Sequence, residues 1–173
     1  MSKANIARHT DESRVEMTQV VMPQFTNVIG TVFGGQVVSW IDVCAAVSAQ
    51  RHCHMPVVTA SIDSVHFIQP IKQGYVVILK SQINAVFRTS MEVGVVVFAE
   101  NPLTGERHKA VRAYCTFVAL DENGKPTEIP ELIIDNDEDK RRQEQAGARR
   151  QERLKHRMVE VQHTLLSDTQ EKK

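Results

Sequence analysis

Apolar residues recur along this chain at two spacings, and the change between them divides it into elements. Val15 to Met22 (VEMTQVVM) is a short β-type run closed by Pro23, which predicts a strand feeding a loop. Gln24 to Gly35 is a loop rich in Asn, Gly and Thr. From Gly34 to about Gln50 the chain reads GGQVVSWIDVCAAVSAQ, apolar on most of a helical circumference, and such a helix is a buried one. After it the strand spacing returns. Val57 to Ile68 ends at Pro70, Tyr75 to Phe87 at Arg88-Thr89-Ser90, Met91 to Glu100 at Asn101 to Gly105, and Lys109 to Leu120 at Asp121 to Gly124. Connections this short suit antiparallel hairpins, and no crossover helices separate the strands as a parallel sheet requires. The order predicts an α+β fold, one antiparallel sheet curled around one buried helix. Such a sheet covers one side of the helix and leaves edges, so pairing with a second copy is expected.

Within the helix, Gln36, Ser39 and Asp42 are spaced three apart and form one narrow polar stripe. Asp42 is the outstanding residue. A carboxylate on an otherwise apolar helix is costly to bury unless it is paired or used, and desolvation drives such a group toward what a general base at neutral pH requires. The structural alternative is a bond from Asp42 to a backbone amide or to a side chain such as Asn27. Gly34 and Gly35 open the helix, where unpaired backbone N–H groups and the positive dipole end can hold an anion. In an acyl transfer this is an oxyanion hole. The competing reading is tight helix–sheet packing. Asn27, in the preceding loop, offers a donor and an acceptor that can orient a water or a carbonyl, or it is a turn residue only.

Composition removes other classes. Of 173 residues, 42% are hydrophobic and 24% charged, ordinary for a globular chain, and 21 basic residues balance 21 acidic ones. No overall field draws the molecule to nucleic acid or anionic lipid. The polar start lacks a signal-peptide core and no run has transmembrane length, so the expectation is a cytoplasmic protein without membrane insertion. Cys44, Cys53 and Cys115 lie far apart without a C-x-x-C pair, which speaks for free thiols. His52-Cys53-His54, read as extended, puts Cys53 on the opposite side from the two His, so no metal is expected. Neither a P-loop, a nicotinamide fingerprint, an H-E-x-x-H pair nor a G-x-S-x-G elbow is present.

The body is expected to span 15–134, after a polar segment at 1–14 and before a charged extension at 135–173. Lys140 to Arg157 holds eight Lys and Arg against two Glu, while Leu154, Met158, Val161 and Leu165 recur at helical spacing. A solvated helix or frayed tail is the first reading, a helix docking between subunits the second, and a nucleic-acid or membrane patch a distant third, because the segment lacks aromatics and both tail and body are near neutral.

Thr26-Asn27-Val28-Ile29-Gly30-Thr31-Val32-Phe33-Gly34-Gly35, a helix carrying Asp42, Val58-Thr59-Ala60-Ser61-Ile62-Asp63, Gln69-Pro70 and Arg88-Thr89-Ser90-Met91-Glu92-Val93 follow one another in the chain. In this order they resemble the acyl-CoA hydrolase family of hotdog-fold thioesterases, over roughly residues 15 to 130. The resemblance implies a hotdog fold, a dimer with active sites at its interface, often a trimer of dimers, and acyl-CoA as substrate without a cofactor. It places Asn27 of one subunit opposite Asp42 of its neighbour, Asp42 as general base or nucleophile, and the Gly35 amide, with that of Gly34, on the thioester carbonyl. It points to the Arg88-Thr89-Ser90 turn for CoA, with Lys109 and Arg112 as weaker candidates for the nucleotide phosphates. Phe33 stands where some relatives carry His. Two rivals remain. A hydroxyacyl-thioester dehydratase needs a positioned His that the segment from Asn27 to Asp42 lacks. A non-catalytic acyl-CoA sensor would bind without turnover and lose its partner with residues 140–173.

Overall fold

Phe33 is extended at φ −66° and ψ 129° and donates its backbone N–H to the Phe25 carbonyl at 2.8 Å, and the helix begins at the next residue. The computed structural model describes residues 6–170, with side chains to 155, so Met158, Val161 and Leu165 lie outside the described side chains. In chain order the elements are β1 (Arg8–His9), β2 (Val15–Val20), α1 (Gly34–Cys53), β3 (Val57–Phe67), β4 (Val76–Val86), β5 (Ser90–Glu100), β6 (Arg107–Ala119), β7 (Leu132–Ile133) and α2 (Asp137–Gln170). Short 3-10 turns occupy Thr10–Ser13 and Pro23–Phe25.

Five strands form one antiparallel sheet in the order β2-β4-β5-β6-β3, so the strand that directly follows α1 sits at the far edge. The alternation along β4, β5 and β6 turns Leu79, Ile83, Val93, Val95, Val97, Cys115 and Phe117 onto α1, all but completely buried. Each large apolar side chain so buried contributes about 1.5–3 kcal/mol. Register shifts in β3–β6, β4–β5 and β5–β6 mark bulges, which bend the sheet around the helix. This is the hotdog arrangement expected.

The protomer alone does not bury α1 all round. Val37, Ile41, Cys44, Ala45 and Ser48 face the sheet, whereas Val43 is 51% exposed; on the edge strand Val58 and Phe67 are 47% and 54% exposed.

The helix runs past Gln50 to Cys53, where His54 adopts the left-handed conformation at φ 51° and Pro56 follows. His52-Cys53-His54 is therefore a helix end rather than the extended segment expected. Helical rotation separates the rings, leaving His52 completely buried and His54 exposed. The His52 Nε2 proton goes to the Pro130 carbonyl at 2.9 Å, and Nδ1 has no partner among the described residues.

Burial holds the His52 pKa below its ordinary 6.5. Between the depressed value and about 6.5 the unfolded chain binds the proton that the folded chain refuses, so stability rises with pH in that window and falls on acidification. Thermal unfolding followed from pH 7.5 to 5.5 is expected to show a falling midpoint, with a shallower slope in His52→Gln. Equal slopes would remove His52 as the cause.

The charged segment after Pro130 forms α2, whose first half lies on the outer face of the sheet, opposite α1. Glu92 of β5 points outward yet is completely buried. It accepts Asn84 Nδ2 at 3.0 Å and both Nε and Nη2 of Arg149 of α2, at 3.0 and 2.6 Å, while the Arg149 guanidinium stacks 3.7 Å above the Tyr114 ring. Gly94 makes room for the Asn84 amide, since a Cβ there would sit 2.6 Å from Nδ2. Gln82 Nε2 donates to Asp139 at 2.8 Å, and Arg153 pairs with Asp63 of β3.

Candidate active site

Asp42 lies in the third turn of α1, half-buried, on the side that meets β3. Thr59 of β3 donates its hydroxyl to Asp42 Oδ1 at 2.7 Å, and Oδ2 has no protein partner among the described residues. The carboxylate is thus oriented through one oxygen and open through the other. The β3 bulge between Thr59 and Ser61 sits immediately beside this contact. Thr59 is the residue that sequence reasoning missed: a Thr in a strand is commonplace, and its only signal was membership of the segment Val58 to Asp63.

Along the helix, Gly35 precedes Asp42 by seven residues, about 10 Å of rise and nearly two full turns, so both lie on one face. The first amide to find an acceptor after the cap is that of Gln36, bonded to the Phe33 carbonyl at 3.0 Å. The Gly34 and Gly35 amides have no partner among the described residues, and no side chain caps the helix. These are the free donors at the positive end of the dipole that an oxyanion needs. Beside them is a cleft of about 300 Å³ lined by Thr31, Val32, Phe67, Ile68, Gln69, Pro70 and Ile71, and the Phe67 ring lies against Gly34.

Asn27 is not brought to Asp42 within the protomer; no hydrogen bond joins them. Its Oδ1 accepts the amides of Ile29 and Thr31 at 3.1 and 3.2 Å, and its Nδ2 donates to Thr31 Oγ1 at 2.9 Å. With Gly30 at φ 74°, these bonds close a tight loop whose tip, Val28 and Ile29, projects into solvent at 104% and 78% exposure.

Phe87, Arg88 and Thr89 link β4 to β5, whose first residue is Ser90. The Arg88 and Thr89 carbonyls are taken by the amides of Ile129 and Ala119, both at 3.1 Å. The Arg88 and Thr89 amides and the exposed Arg88 guanidinium have no partner among the described residues, which leaves donors and positive charge facing outward. Lys109 and Arg112 lie elsewhere, on the outer sheet face, lining a cleft of about 930 Å³ between the sheet and α2.

Burial pushes the Cys115 thiol up to about 12, with Asp42, Asp63 and Glu92 adding to the effect, and burial also raises Cys44 and Cys53. None of the three is a thiolate nucleophile at neutral pH. Asp11, Asp135 and Asp139 gather closely enough to hold a cation, but they are engaged by Arg14, His9 and Gln82, respectively.

The thioesterase superfamily matches residues 29–106 of the chain. An uncharacterized acyl-CoA thioester hydrolase of Bacillus subtilis is 46% identical over 132 residues, covering 76% of this chain and 77% of the relative. Mouse acyl-coenzyme A thioesterase 11 is 37% identical over 84% of this chain, which spans only 24% of that longer protein. Among solved structures, an apo-hexameric acyl-CoA thioesterase superposes with a TM-score of 0.84 at 42% identity, over 87% of this chain and 97% of the other. The Staphylococcus aureus acyl-CoA hydrolase, solved with butyryl coenzyme A, coenzyme A and coenzyme A disulfide, gives 0.83 at 36% identity over 92% and 96%. That hydrolase has also been solved with an Asp, a Thr or an Asn replaced by alanine.

Proposed function

Since the chain belongs to the thioesterase superfamily, among its acyl-CoA thioester hydrolases, we propose that it hydrolyses acyl-CoA to a free carboxylic acid and CoA at a site shared between two protomers. The carrying observation is the Asp42 carboxylate, held by Thr59 through one oxygen and free at the other, on the helix face that begins with the unpaired Gly34 and Gly35 amides.

In this reading the thioester carbonyl oxygen lies against those two amides, which are unpaired before substrate arrives and so need no rearrangement to meet the negative charge that develops. Asp42 takes a proton from water as the water oxygen bonds to the carbonyl carbon. Collapse of the tetrahedral adduct breaks the carbon–sulfur bond, and the CoA thiolate leaves and takes up a proton. The alternative is direct attack by Asp42 to give an anhydride that water then opens. Oxygen-18 found in Asp42 after a single turnover in labelled water would select that route. Either route uses the protein's own groups, without a metal or cofactor.

Two features favour a shared site. β3 is a sheet edge with unpaired backbone groups, and exposed apolar residues occur on it, Val58 and Phe67, and on α1, Val43, which invites a second copy. Asn27 stands on an apolar loop tip with no Asp42 in reach of its own. Pairing through β3 brings the partner's loop to Asp42, where the Asn27 amide orients the water or the carbonyl. The hexameric relatives favour further assembly into a trimer of dimers. No helix among the described residues is long and apolar enough to cross a membrane; the likeness to the cytosolic acyl coenzyme A thioester hydrolase of rat favours placing the reaction in the cytosol.

The test is thiol release from a panel of acyl-CoAs, short to long, in the presence of a chelator. Turnover is expected with at least one member, and its absence alongside retained binding would leave an acyl-CoA sensor. A mixture of Asn27→Ala and Asp42→Ala protomers, dissociated and reassembled together, is expected to recover activity that neither variant has alone. Failure to recover it in verified mixed oligomers would place both residues in one protomer's site.

A further inference from the structure

Three arginines on α2 grip the parts of the sheet that surround the Arg88–Ser90 turn. Arg150 lays its guanidinium over the ring of Phe87, the residue immediately before the turn, at 4.4 Å from the centroid. Arg149 forms its two-pronged bond with Glu92, two residues after the turn. Arg153, one helical turn on, pairs with Asp63 of β3 and fixes the helix along the sheet. The turn is therefore held from both flanks on the α2 side, while Ala119 and Ile129 hold its two carbonyls. What is left unheld is the chemistry: two amides, the Arg88 guanidinium, and the hydroxyls of Thr89 and Ser90.

We propose that α2 is part of the CoA-binding apparatus, with Arg150 as the positioning residue that sets the Arg88–Thr89–Ser90 turn against the phosphates of CoA. The proposal rests on the reading of that turn as a CoA contact. The Phe87 amide donates to the Ser90 carbonyl at 2.8 Å and closes the turn on itself, so what remains is rocking of the turn as a unit on its Phe87 end, and each backbone amide must point at the same phosphate oxygen for a nest of donors to bind. Arg150 restricts that rocking by packing on Phe87. It is half-buried and has no carboxylate partner among the described residues, so its charge also adds to the positive potential at the turn. Arg149 is mainly structural, because it neutralises a buried carboxylate. Arg150 is the arginine of the group whose removal leaves no buried charge behind.

The experiment compares acyl-CoA with the same acyl group carried on pantetheine, which keeps the thioester and lacks the nucleotide and its phosphates. In the full-length oligomer, Arg150→Ala is expected to raise KM for acyl-CoA about 2- to 5-fold, the affinity equivalent of one cation–π contact. Turnover number and the kcat/KM for acyl-pantetheine should be unchanged, and Arg150→Lys should recover most of the loss. Arg88→Ala, measured alongside, is expected to raise KM for acyl-CoA and spare acyl-pantetheine. An effect in Arg88→Ala without one in Arg150→Ala overturns the role of α2 and leaves the CoA contact standing. No effect in Arg88→Ala removes the contact itself, and the proposal with it. Equal losses on both thioesters in Arg150→Ala would mean general loosening of the sheet and would also overturn it.

Discussion

Asp42→Ala is expected to lose about 10²–10⁴-fold in kcat while folding into the same oligomer, the usual contribution of a positioned general base. The fold tolerates the change because Asp42 is half-buried and its one side-chain partner among the described residues is the Thr59 hydroxyl, which can turn to water. Asp42→Asn is the sharper variant, since it keeps the shape and can still accept from Thr59 but cannot take a proton. Loss of the same size in both would put the effect on the charge. Thr59→Val removes a hydrogen bond to a carboxylate, worth about 1.5–3 kcal/mol, and so should cost roughly 10- to 100-fold if that bond is fully expressed in the transition state. The order Asp42 before Thr59 decides whether Thr59 orients the base or is itself the principal group. The measurement is steady-state thiol release with size-exclusion and thermal controls, and full turnover in Asp42→Ala would end the assignment.

The largest effect on stability is expected at the buried pair on the opposite face. Arg149→Ala leaves the Glu92 carboxylate completely buried with only the Asn84 amide for company, and stranding a buried charge costs about 3–5 kcal/mol. For a chain of this size that corresponds to a fall of about 6–20 °C in Tm. Replacing both members, Arg149→Met with Glu92→Met, should recover a large part of the loss, because the desolvation cost disappears with the charges. Thermal unfolding of the two variants at one fixed protomer concentration separates these outcomes. A double variant no better than Arg149→Ala would mean that packing of α2, rather than charge burial, carries the stability. The same geometry alters the discrimination expected from the sequence between enzyme and sensor. Removing residues 140–173 takes Arg149 away from Glu92, so a truncated chain tests folding before it tests partner binding.

The residues of the candidate site were legible to unequal degrees. Asp42 stood out because a carboxylate in an apolar helix breaks the local pattern, and such breaks are where chemistry is found. Gly34 and Gly35 were visible as the start of that helix. Arg88, Thr89 and Ser90 were visible only as a turn and through resemblance, because a short turn between strands carries no signal of what it touches. Thr59 was invisible, since its role depends on a contact 17 residues away that β3 makes only after taking its place in the sheet. The burial of Glu92 was equally invisible: a Glu in a strand carries no sign of what covers it, and only α2 lying across it makes it a buried charge.

What the sequence by itself determined is the set of elements and which face of each is apolar. Periodicity is a local property, and Pro and Gly mark its ends wherever the chain folds. Strand boundaries fell within two residues of those read from the pattern, from Val15 to Ala119. Tertiary structure alone decided who neighbours whom. Nothing in a period of two says that β3 pairs with β6 rather than with β4, that Arg8–His9 pairs with Leu132–Ile133, or that a charged tail covers the sheet. Those choices rest on contacts between residues far apart in the chain, whose free energy exists only when both partners and the sheet between them are already in place.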